Sequence, residues 1–143
     1  MSSGVPTNPE CVKAFDALKK GKGKVFRYIV FNFRDVDKEI ILTETAPPET
    51  QYNDFLAKIN AKPNDPFYAV FDFDYEIADG KRNKILFISY VPDSCKVKQR
   101  MLFASTKESI KKSINDDGLV DIHASTPSDL DPQAILLKVK QGK

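Results

Sequence analysis

Apolar residues change their spacing along this chain, and the changes separate predicted helices from predicted strands. Spacings of three and four residues, as in Cys11, Phe15 and Leu18, are typical of a helix with one buried face, whereas β-branched and aromatic runs are typical of strands. In chain order, the pattern predicts a helix at 9–20, strands at 25–33 and 39–43, a helix through 52–59, strands at 67–75 and 84–91, a helix at 95–114, a strand at 119–123 and a helix from 131.

The order of these elements predicts a mixed sheet. Two pairs of strands, joined by turns at 35–37 and at Asp79-Gly80, are separated by helices, so the strands within each pair form hairpins. Residues 25–33 are apolar on both faces, and a strand of this kind is covered from both sides. We therefore expect an α/β fold of the α+β type, in which a central mixed sheet of about five strands is sandwiched by helices on both faces.

The ends of the predicted helices carry recognisable signals. Asn8 provides an N-cap for the first helix, Pro9 suits its first position, and Gly21 ends it. Residues 105–108, Ser-Thr-Lys-Glu, form a capping-box pattern, although they lie inside the third predicted helix. The pattern predicts that this helix changes direction near Ser105.

The third predicted helix is apolar on two faces, whereas folding requires only one. At about 100° per residue, Leu102, Phe103 and Thr106 point to one side, and the same face continues to Ile110. We interpret this side as the face that packs in the core.

The opposite side of the same helix carries a second apolar strip, formed by Val97, Met101 and Ala104. Lys98 and Arg100 flank this strip, and a chain of this size has little room to bury their charges. A small apolar centre with a charged rim is typical of a protein interface. The sequence therefore predicts a partner-binding surface on this helix.

Length and composition limit the class of protein. A chain of 143 residues, 41% hydrophobic and 29% charged, is typical of one soluble domain, which we assign to residues 1–143 with residues 1–7 as a flexible N-terminal tail. The apolar runs are too short to cross a bilayer, and the N-terminus lacks the features of a secretory signal, so we expect a cytoplasmic protein that is not an integral membrane protein. A net charge of +2 argues against a dedicated nucleic-acid binder.

Residues with catalytic or metal-binding potential do not form a complete site in the sequence. Cys11 and Cys95 match no metal or redox spacing and are interpreted as packing thiols, and His123 has no nucleophile near it in sequence. The alternating acids that begin with Asp72 and Asp74 start like a calcium loop, but its later glycine and glutamate positions hold other residues. We expect these acids to face solvent or a neighbouring base. The sequence therefore predicts no enzyme activity, no cofactor and no metal.

One enzymatic alternative stays open. Lys22 and Lys24 alternate with glycines, and Asp72 and Asp74 provide carboxylates, so a small phosphate-handling enzyme could use these four residues. Neither a dinucleotide-binding nor a P-loop pattern is present, and a turn at the end of a helix explains the glycines without any ligand.

Three segments carry a resemblance to a known family. They are residues 2–5, Ser-Ser-Gly-Val, the two parts 68–76 and 80–84 of the central hairpin, and residues 91–105, Val-Pro-Asp-Ser-Cys-Lys-Val-Lys-Gln-Arg-Met-Leu-Phe-Ala-Ser. In order, spacing and length, the chain resembles the actin-depolymerising factor/cofilin family over essentially its whole extent. The resemblance implies that family's single-domain homology fold, a mixed sheet between two pairs of helices.

The resemblance also implies a function and a set of functional residues. It implies a protein that binds ADP-actin monomers and filaments, severs and depolymerises filaments and drives actin turnover. The implied actin contacts are Ser3, Gly4, Val5, Lys98, Arg100 and Met101. The implied filament-specific contacts are Arg82, Lys84 and Lys138. By the same resemblance, Lys111 and Lys112 bind phosphoinositide head groups, Ser3 is a regulatory phosphorylation site, and the protein is a monomer of the actin cytoskeleton.

The chain departs from the family pattern at three places. Leu137 stands where many members have an acid immediately before the base that is Lys138 here, and Tyr90 stands where tryptophan is common. Gly21 and Gly23 interrupt the basic stretch that corresponds to the nuclear import segment of vertebrate members, so nuclear entry is unsupported.

The alternative within the same fold is a relative with a different task. It is either a coactosin-like protein that binds filaments without severing them, or a binder of a branching complex similar to glia maturation factor. The N-terminal segment and residues 92–101 favour the cofilin type.

Overall fold

The computed structural model describes residues 6–21, 25–34, 39–114 and 118–142. Its elements are α1 (Pro9–Lys20), β1 (Tyr28–Arg34), β2 (Glu39–Ala46), α2 (Tyr52–Ala61), β3 (Phe67–Ile77), β4 (Gly80–Tyr90), α3 (Val97–Ile114), β5 (Val120–Ala124), a short 3₁₀ helix (Pro127–Leu130) and α4 (Pro132–Gly142). The predicted order of helices and strands is confirmed, and the 3₁₀ helix is an addition.

The strands form one five-stranded sheet in the order β2-β1-β3-β4-β5. All neighbouring pairs are antiparallel except β4 and β5, which are parallel because α3 carries the chain from one end of the sheet back to the other. The predicted mixed sheet is therefore confirmed.

Two hydrophobic cores lie on the two faces of this sheet. The core on the face covered by α1 and α3 includes Phe15, Leu18, Phe31, Phe87 and Phe103. The core on the face covered by α2 and α4 includes Phe55, Phe71, Ile88, Ile135 and Val139. Burial of each of the large side chains stabilises the fold by about 1.5–3 kcal/mol. The predicted covering of both faces by helices is confirmed.

The hairpin of β3 and β4 is the longest paired segment of the sheet. Each strand has 11 residues, and the pairing continues to Ile77 opposite Gly80, so that only two residues form the turn. Gly80 has a φ of 126°, which residues with a side chain rarely adopt. Glycine is therefore the favoured residue at the start of β4.

The first described residues are fixed to the edge of the sheet. The N–H of Ile40 donates to the carbonyl of Pro6 at 2.9 Å, and the N–H of Asn8 donates to the carbonyl of Ile40 at 2.8 Å. Asn8 also caps α1, because its side-chain oxygen accepts from the N–H of Glu10 at 2.8 Å. Residues 6 and 7, which we expected in a flexible tail, instead use the open backbone groups of the edge strand β2.

Several boundaries differ from the predicted ones. β1 begins at Tyr28 rather than at residue 25, and β2 continues to Ala46 because Ala46 pairs with Tyr28 across the hairpin. The predicted turn at 35–37 lies outside the described residues.

Ser105 does not begin a new helix, and the predicted change of direction near it stays a prediction. α3 is one helix from Val97 to Ile114, and the Ser105 hydroxyl donates to the carbonyl of Leu102 at 3.2 Å, back toward the preceding turn.

In the described part of the chain, no helix has the length and apolar character that crossing a membrane requires.

Candidate functional site

The inner face of α3 fixes this helix against the sheet. Phe103, Thr106 and Ile110 are buried, and the hydroxyl of Tyr68 donates to the carbonyl of Phe103. The ring of Phe33 meets the ring of Phe103 edge-on, with the ring centres 5.0 Å apart. The predicted core face of α3 is confirmed, and its contacts hold the outer face in a defined position.

The outer face of α3 exposes the second apolar strip to solvent. Val97 is 60% exposed and Met101 is 68% exposed, and Ala104 and Lys98 are also exposed. Arg100 is half-buried at the edge of the strip. We call these five residues the α3 surface. The predicted two-sided character of this helix is confirmed.

The loop before α3 is anchored at several points. The N–H of Val91 donates to the carbonyl of Ala124, and the N–H of Cys95 donates to the carbonyl of Pro92. Ser94 contributes a side-chain hydrogen bond to Asn64 at 2.6 Å. These bonds fix the direction in which α3 starts, and hence the position of the α3 surface.

Arg100 lies near Asp93, an acidic residue of this loop. Its Nη1 lies 4.0 Å from Oδ1 of Asp93, which is the limit of an ion pair, and both side chains are substantially exposed. A contact of this kind contributes little to stability. The guanidinium therefore keeps much of its capacity to bind a partner.

Lys111 and Lys112 follow each other in sequence but have different surroundings. The ammonium group of Lys111 lies 2.9 Å from Asp121, which also pairs with Lys107 at 2.9 Å, whereas Lys112 is exposed. Burial opposes the ionisation of Asp121, but the hydrogen bonds from Lys111 and Lys107 outweigh it and lower the pKa of Asp121. The hydrogen bond to Asp121 likewise raises the pKa of Lys111.

The predicted filament-specific residues lie on the other side of the sheet from α3. Arg82 pairs with Tyr75, and Lys84 pairs with Phe73. Because alternate residues of a strand point to the same face, Arg82 and Lys84 share the face of the β4 residues that pack against α2 and α4. Lys138 is exposed on α4, which covers the same face. Strand alternation thus assigns Arg82 and Lys84 to the side of the sheet that α4 covers, whereas the α3 surface lies on the other side.

Leu137, beside Lys138, is 61% exposed on α4. It is therefore accessible to a partner, like the base that follows it. Ser3, Gly4 and Val5, the remaining predicted contacts, lie outside the described residues.

The acids of β3 are not a metal site. Asp72 is only 2% exposed and accepts a hydrogen bond from Asn83 at 2.8 Å, while Asp74 is exposed and pairs with Arg27 at 2.9 Å. Burial raises the pKa of Asp72, although the hydrogen bond from Asn83 opposes the change. The expectation that these acids face solvent or a base is confirmed for Asp74 and wrong for Asp72, because Asp72 points into the sheet layer beside α1. Over the ranges that the structure describes, His, Cys, Asp and Glu form no group that could hold a metal ion.

Both cysteines are free and buried, as predicted for packing thiols. The sulfur of Cys11 lies 3.6 Å from the carbonyl oxygen of Ile40. Burial, with a smaller contribution from the nearby Glu39, raises the pKa of the Cys11 thiol to about 12, so the reactive thiolate is suppressed.

A pocket beside the α3 surface is lined by two residues that received no function from the sequence. Ser89 was not singled out there, and His123 was considered but given no role. Arg100 lines this pocket together with Ser89 of β4 and His123 of β5. Ser89 interrupts an otherwise apolar run from Ile85 to Val91, and a polar residue in a strand buried on both faces was the signal that could have found it.

Comparison with known families gives one match that covers nearly the whole chain. The profile described as "Cofilin/tropomyosin-type actin-binding protein" matches residues 4–140. The match includes the α3 surface, the β3–β4 hairpin and most of α4.

Known proteins and structures agree with this match. Cofilin from Mycosarcoma maydis is 44% identical over 115 residues, which cover 80% of this chain and 79% of that protein. Actophorin from Acanthamoeba castellanii is 32% identical over 140 residues, which cover 97% of each protein. The crystal structure of cofilin from Streptomyces griseoflavus superimposes with a TM-score of 0.86 and 33% identity, over 98% of this chain and 100% of that one.

Proposed function

Because this chain belongs to the actin-depolymerising factor/cofilin family, we propose that it binds ADP-actin monomers and filaments, severs and depolymerises the filaments, and so drives actin turnover. The family consists of actin-binding proteins and not of enzymes. The enzymatic alternative built on Lys22, Lys24, Asp72 and Asp74 is therefore wrong.

The observation that carries the proposal is the exposure of the α3 surface. Met101 and Val97 present apolar side chains to solvent on a helix whose other face is fully used by the core. Such side chains lose water only when a partner covers them, and Lys98 and Arg100 add complementarity to an acidic partner. We assign Lys98, Arg100 and Met101 as contacts to actin, with Ser3, Gly4 and Val5 as the N-terminal part of the same interface.

A second interface is assigned to the opposite side of the sheet. Arg82, Lys84 and Lys138 are cationic and share that side, so they can meet a second actin subunit while the α3 surface holds the first. A ligand that contacts two subunits prefers the subunit orientation that satisfies both contacts, and its binding shifts the filament toward that orientation. Mismatch between decorated and bare segments then favours breakage without a covalent step.

Two regulatory sites accompany this proposal. Lys111 and Lys112 are assigned to phosphoinositide head groups, and the exposed Lys112 is the more available of the two because Lys111 is paired with Asp121. Ser3 is assigned as the phosphorylation site, since a phosphate adds about −1.5 to −2 charge and would repel an acidic partner. We further propose that the protein acts as a monomer, in the cytoplasm, on actin filaments.

The experiment that tests the proposal is direct observation of single fluorescent filaments after the protein is added. We expect the number of breaks per length of filament to rise. Decorated filaments that stay unbroken would support the coactosin-like alternative, and the absence of any decoration would contradict actin binding of either kind.

The contact assignment is tested with the double variant Lys98→Ala with Arg100→Ala. We expect co-sedimentation with actin to fall strongly and the melting temperature to change little, because neither side chain contributes to the core. The matched control is Lys13→Ala with Lys62→Ala, which removes two exposed positive charges outside both proposed interfaces. Equal binding by the two double variants would refute the assignment.

A further inference from the structure

A pocket of about 280 Å³ lies beside the α3 surface and is open to solvent. It is lined by the end of β4, the loop that follows it, α3 and the end of β5. Its polar lining consists of Ser89, Asp93, Arg100, Lys107, His123 and Ser125. Ser89 and His123 are paired in the register of β4 and β5, so their side chains lie side by side.

Two polar atoms of this pocket lack a hydrogen-bond partner among the described residues. They are the hydroxyl oxygen of Ser89, a residue that is only 2% exposed, and the buried Nε of Arg100. Buried polar atoms in folded proteins almost always have a partner, whether protein, water or ligand. Two such atoms in one pocket therefore point to an occupant that the pocket can hydrogen-bond.

The other polar groups indicate which kind of occupant fits. Lys107 is paired with Asp121 at 2.9 Å, and the Ser125 hydroxyl is bonded to Asp129 at 3.3 Å, so these two are already engaged. The groups that remain are donors, namely the Ser89 hydroxyl, the Arg100 Nε–H and an imidazole N–H of His123. Among the described residues that line the pocket, Asp93 alone has a carboxylate, and its exposed side chain lies 4.0 Å from Nη1 of Arg100.

We propose that this pocket is a binding site for a phosphate-type oxyanion, held by Ser89, Arg100 and His123. A tetrahedral oxyanion presents several acceptor oxygens at once, which matches a pocket lined by the donors of Ser89, Arg100 and His123. Arginine is well suited to this role because its guanidinium presents several N–H groups in a fixed plane. The site is separate from Lys111 and Lys112, which lie further along α3.

Occupancy of the pocket has a consequence for the proposed interface. An oxyanion bound to Nε of Arg100 neutralises a cation of the α3 surface, so we expect it to weaken actin binding. This consequence rests on the proposed function, whereas the anion site itself does not. The two are therefore measured separately.

The site is tested on the isolated protein by titration with inorganic phosphate, followed by ¹H–¹⁵N nuclear magnetic resonance. We expect saturable shifts of the Nε–H signal of Arg100 and of the backbone signals of Ser89 and His123. Chloride at matched ionic strength should not produce them. Shifts that do not saturate, or that chloride reproduces, would overturn the proposal, because the pocket would then hold water only.

Variants assign the shifts to the pocket. Ser89→Ala should raise the Kd for phosphate about tenfold, as expected for a lost hydrogen bond to a charged ligand. Ser113→Ala, which removes an exposed hydroxyl on the same helix, should leave the Kd unchanged. If Ser89→Ala fails to fold, Arg100→Lys provides the test, since it keeps the charge, removes Nε and should also weaken binding. If the Kd for phosphate is unchanged in Ser89→Ala, the proposed site is contradicted. If Ser89→Ala does not fold, an unchanged Kd for phosphate in Arg100→Lys contradicts it instead.

The phosphate group could be free in solution or part of a lipid headgroup, and vesicles distinguish the two. The probe is phosphatidylcholine vesicles with and without phosphatidylinositol bisphosphate. Weaker vesicle binding by Ser89→Ala identifies the headgroup as the occupant, whereas weaker binding only by Lys111→Ala with Lys112→Ala supports a soluble phosphate in the pocket. For the effect on actin, wild-type protein should lose co-sedimentation as phosphate is added, and Ser89→Ala should lose it only at about tenfold higher phosphate. Equal losses at the same phosphate concentration would overturn the coupling.

Discussion

Met101 and Phe103 are two positions apart on α3 and have opposite roles. Met101 is 68% exposed on the α3 surface. Phe103 is 3% exposed and packs against Phe33 and Tyr68, and its carbonyl oxygen accepts a hydrogen bond from the Tyr68 hydroxyl. The proposed assignment therefore gives stability and binding to different side chains, and single substitutions can separate the two.

We expect Met101→Ala to weaken actin binding while leaving the free energy of unfolding nearly unchanged. Phe103→Ala, its matched counterpart, should lower that free energy by about 3–5 kcal/mol, because it leaves a cavity in a close-packed core. Chemical denaturation and actin co-sedimentation of both variants check the pair. A large loss of stability in Met101→Ala would contradict the assignment of this side chain to a partner.

Asp121 makes the stability of the fold depend on acid. Its pKa is lowered in the folded state, so ionised Asp121 contributes stability above the usual aspartate pKa of about 3.9, and the contribution is lost as the pH falls through the lower folded-state pKa. Asp121→Asn should therefore be less stable than wild type at neutral pH, by less than about 1 kcal/mol because the pair is partly exposed, and equally stable in strong acid.

Denaturation with urea over a series of pH values measures this difference. The control is Asp16→Asn, which removes an exposed carboxylate of α1 from outside the network of Lys107, Lys111 and Asp121. A stability difference that persists unchanged into strong acid would contradict the role of the Asp121 ion pairs.

Single residues also show what local reasoning could and could not predict. The exposure of Met101 and the burial of Phe103 follow from helical spacing alone, which requires no knowledge of the partner elements. The burial of Asp72 and the pairing of Lys111 with Asp121 depend on strand register, which brings together residues that are distant in sequence. The functional roles of Ser3, Gly4 and Val5 stay predictions.

At the scale of elements, the β3–β4 hairpin depends on the backbone of Gly80. An added Cβ at Gly80 meets no atom within 4 Å, so a substitution there is strained by its φ of 126° and not by crowding. We expect Gly80→Ala to destabilise the fold by about 1–3 kcal/mol. Asp79→Ala, in the adjacent exposed turn, should cost less, and thermal unfolding of the two variants gives the comparison. Equal stabilities would mean that the turn relaxes at no cost.

The elements themselves were largely predictable because their apolar periods are strong. Asn8, Pro9 and Gly21 mark the ends of α1 correctly. The capping-box pattern at Ser105 does not interrupt α3, because a capping box is a local signal and Phe103, Thr106 and Ile110 are buried on both sides of it. Ala46 extends β2 beyond its predicted end for a similar reason, since its partner Tyr28 is far away in sequence.

For the whole molecule, the important arrangement is that two sets of cations lie on opposite sides of one sheet. The sequence showed the clusters, but only the pairing of β3 with β4 assigns Arg82 and Lys84 to the side of α4. This sidedness could not be predicted without the register, because a shift by one residue reverses the direction of every side chain.

We expect Arg82→Ala with Lys84→Ala to weaken binding to filaments about tenfold, or by roughly 1.4 kcal/mol, with a much smaller effect on binding to monomers. The reason is that only a filament provides a second subunit for this side of the sheet. Lys13→Ala with Lys62→Ala again serves as the control, with both affinities measured by co-sedimentation and by fluorescence titration of monomers. Equal losses for monomers and filaments would exclude a separate filament interface.

If the protein binds a filament through both proposed interfaces, the sheet between them also sets how long it stays there. Once the α3 surface is bound, we expect the second contact to form at a high effective concentration, because β4 and the packed helix α4 already hold Arg82, Lys84 and Lys138 on the other side of the sheet. Both contacts must then open together before the protein leaves. Weakening either side should therefore shorten the residence time on a filament far more than it slows arrival.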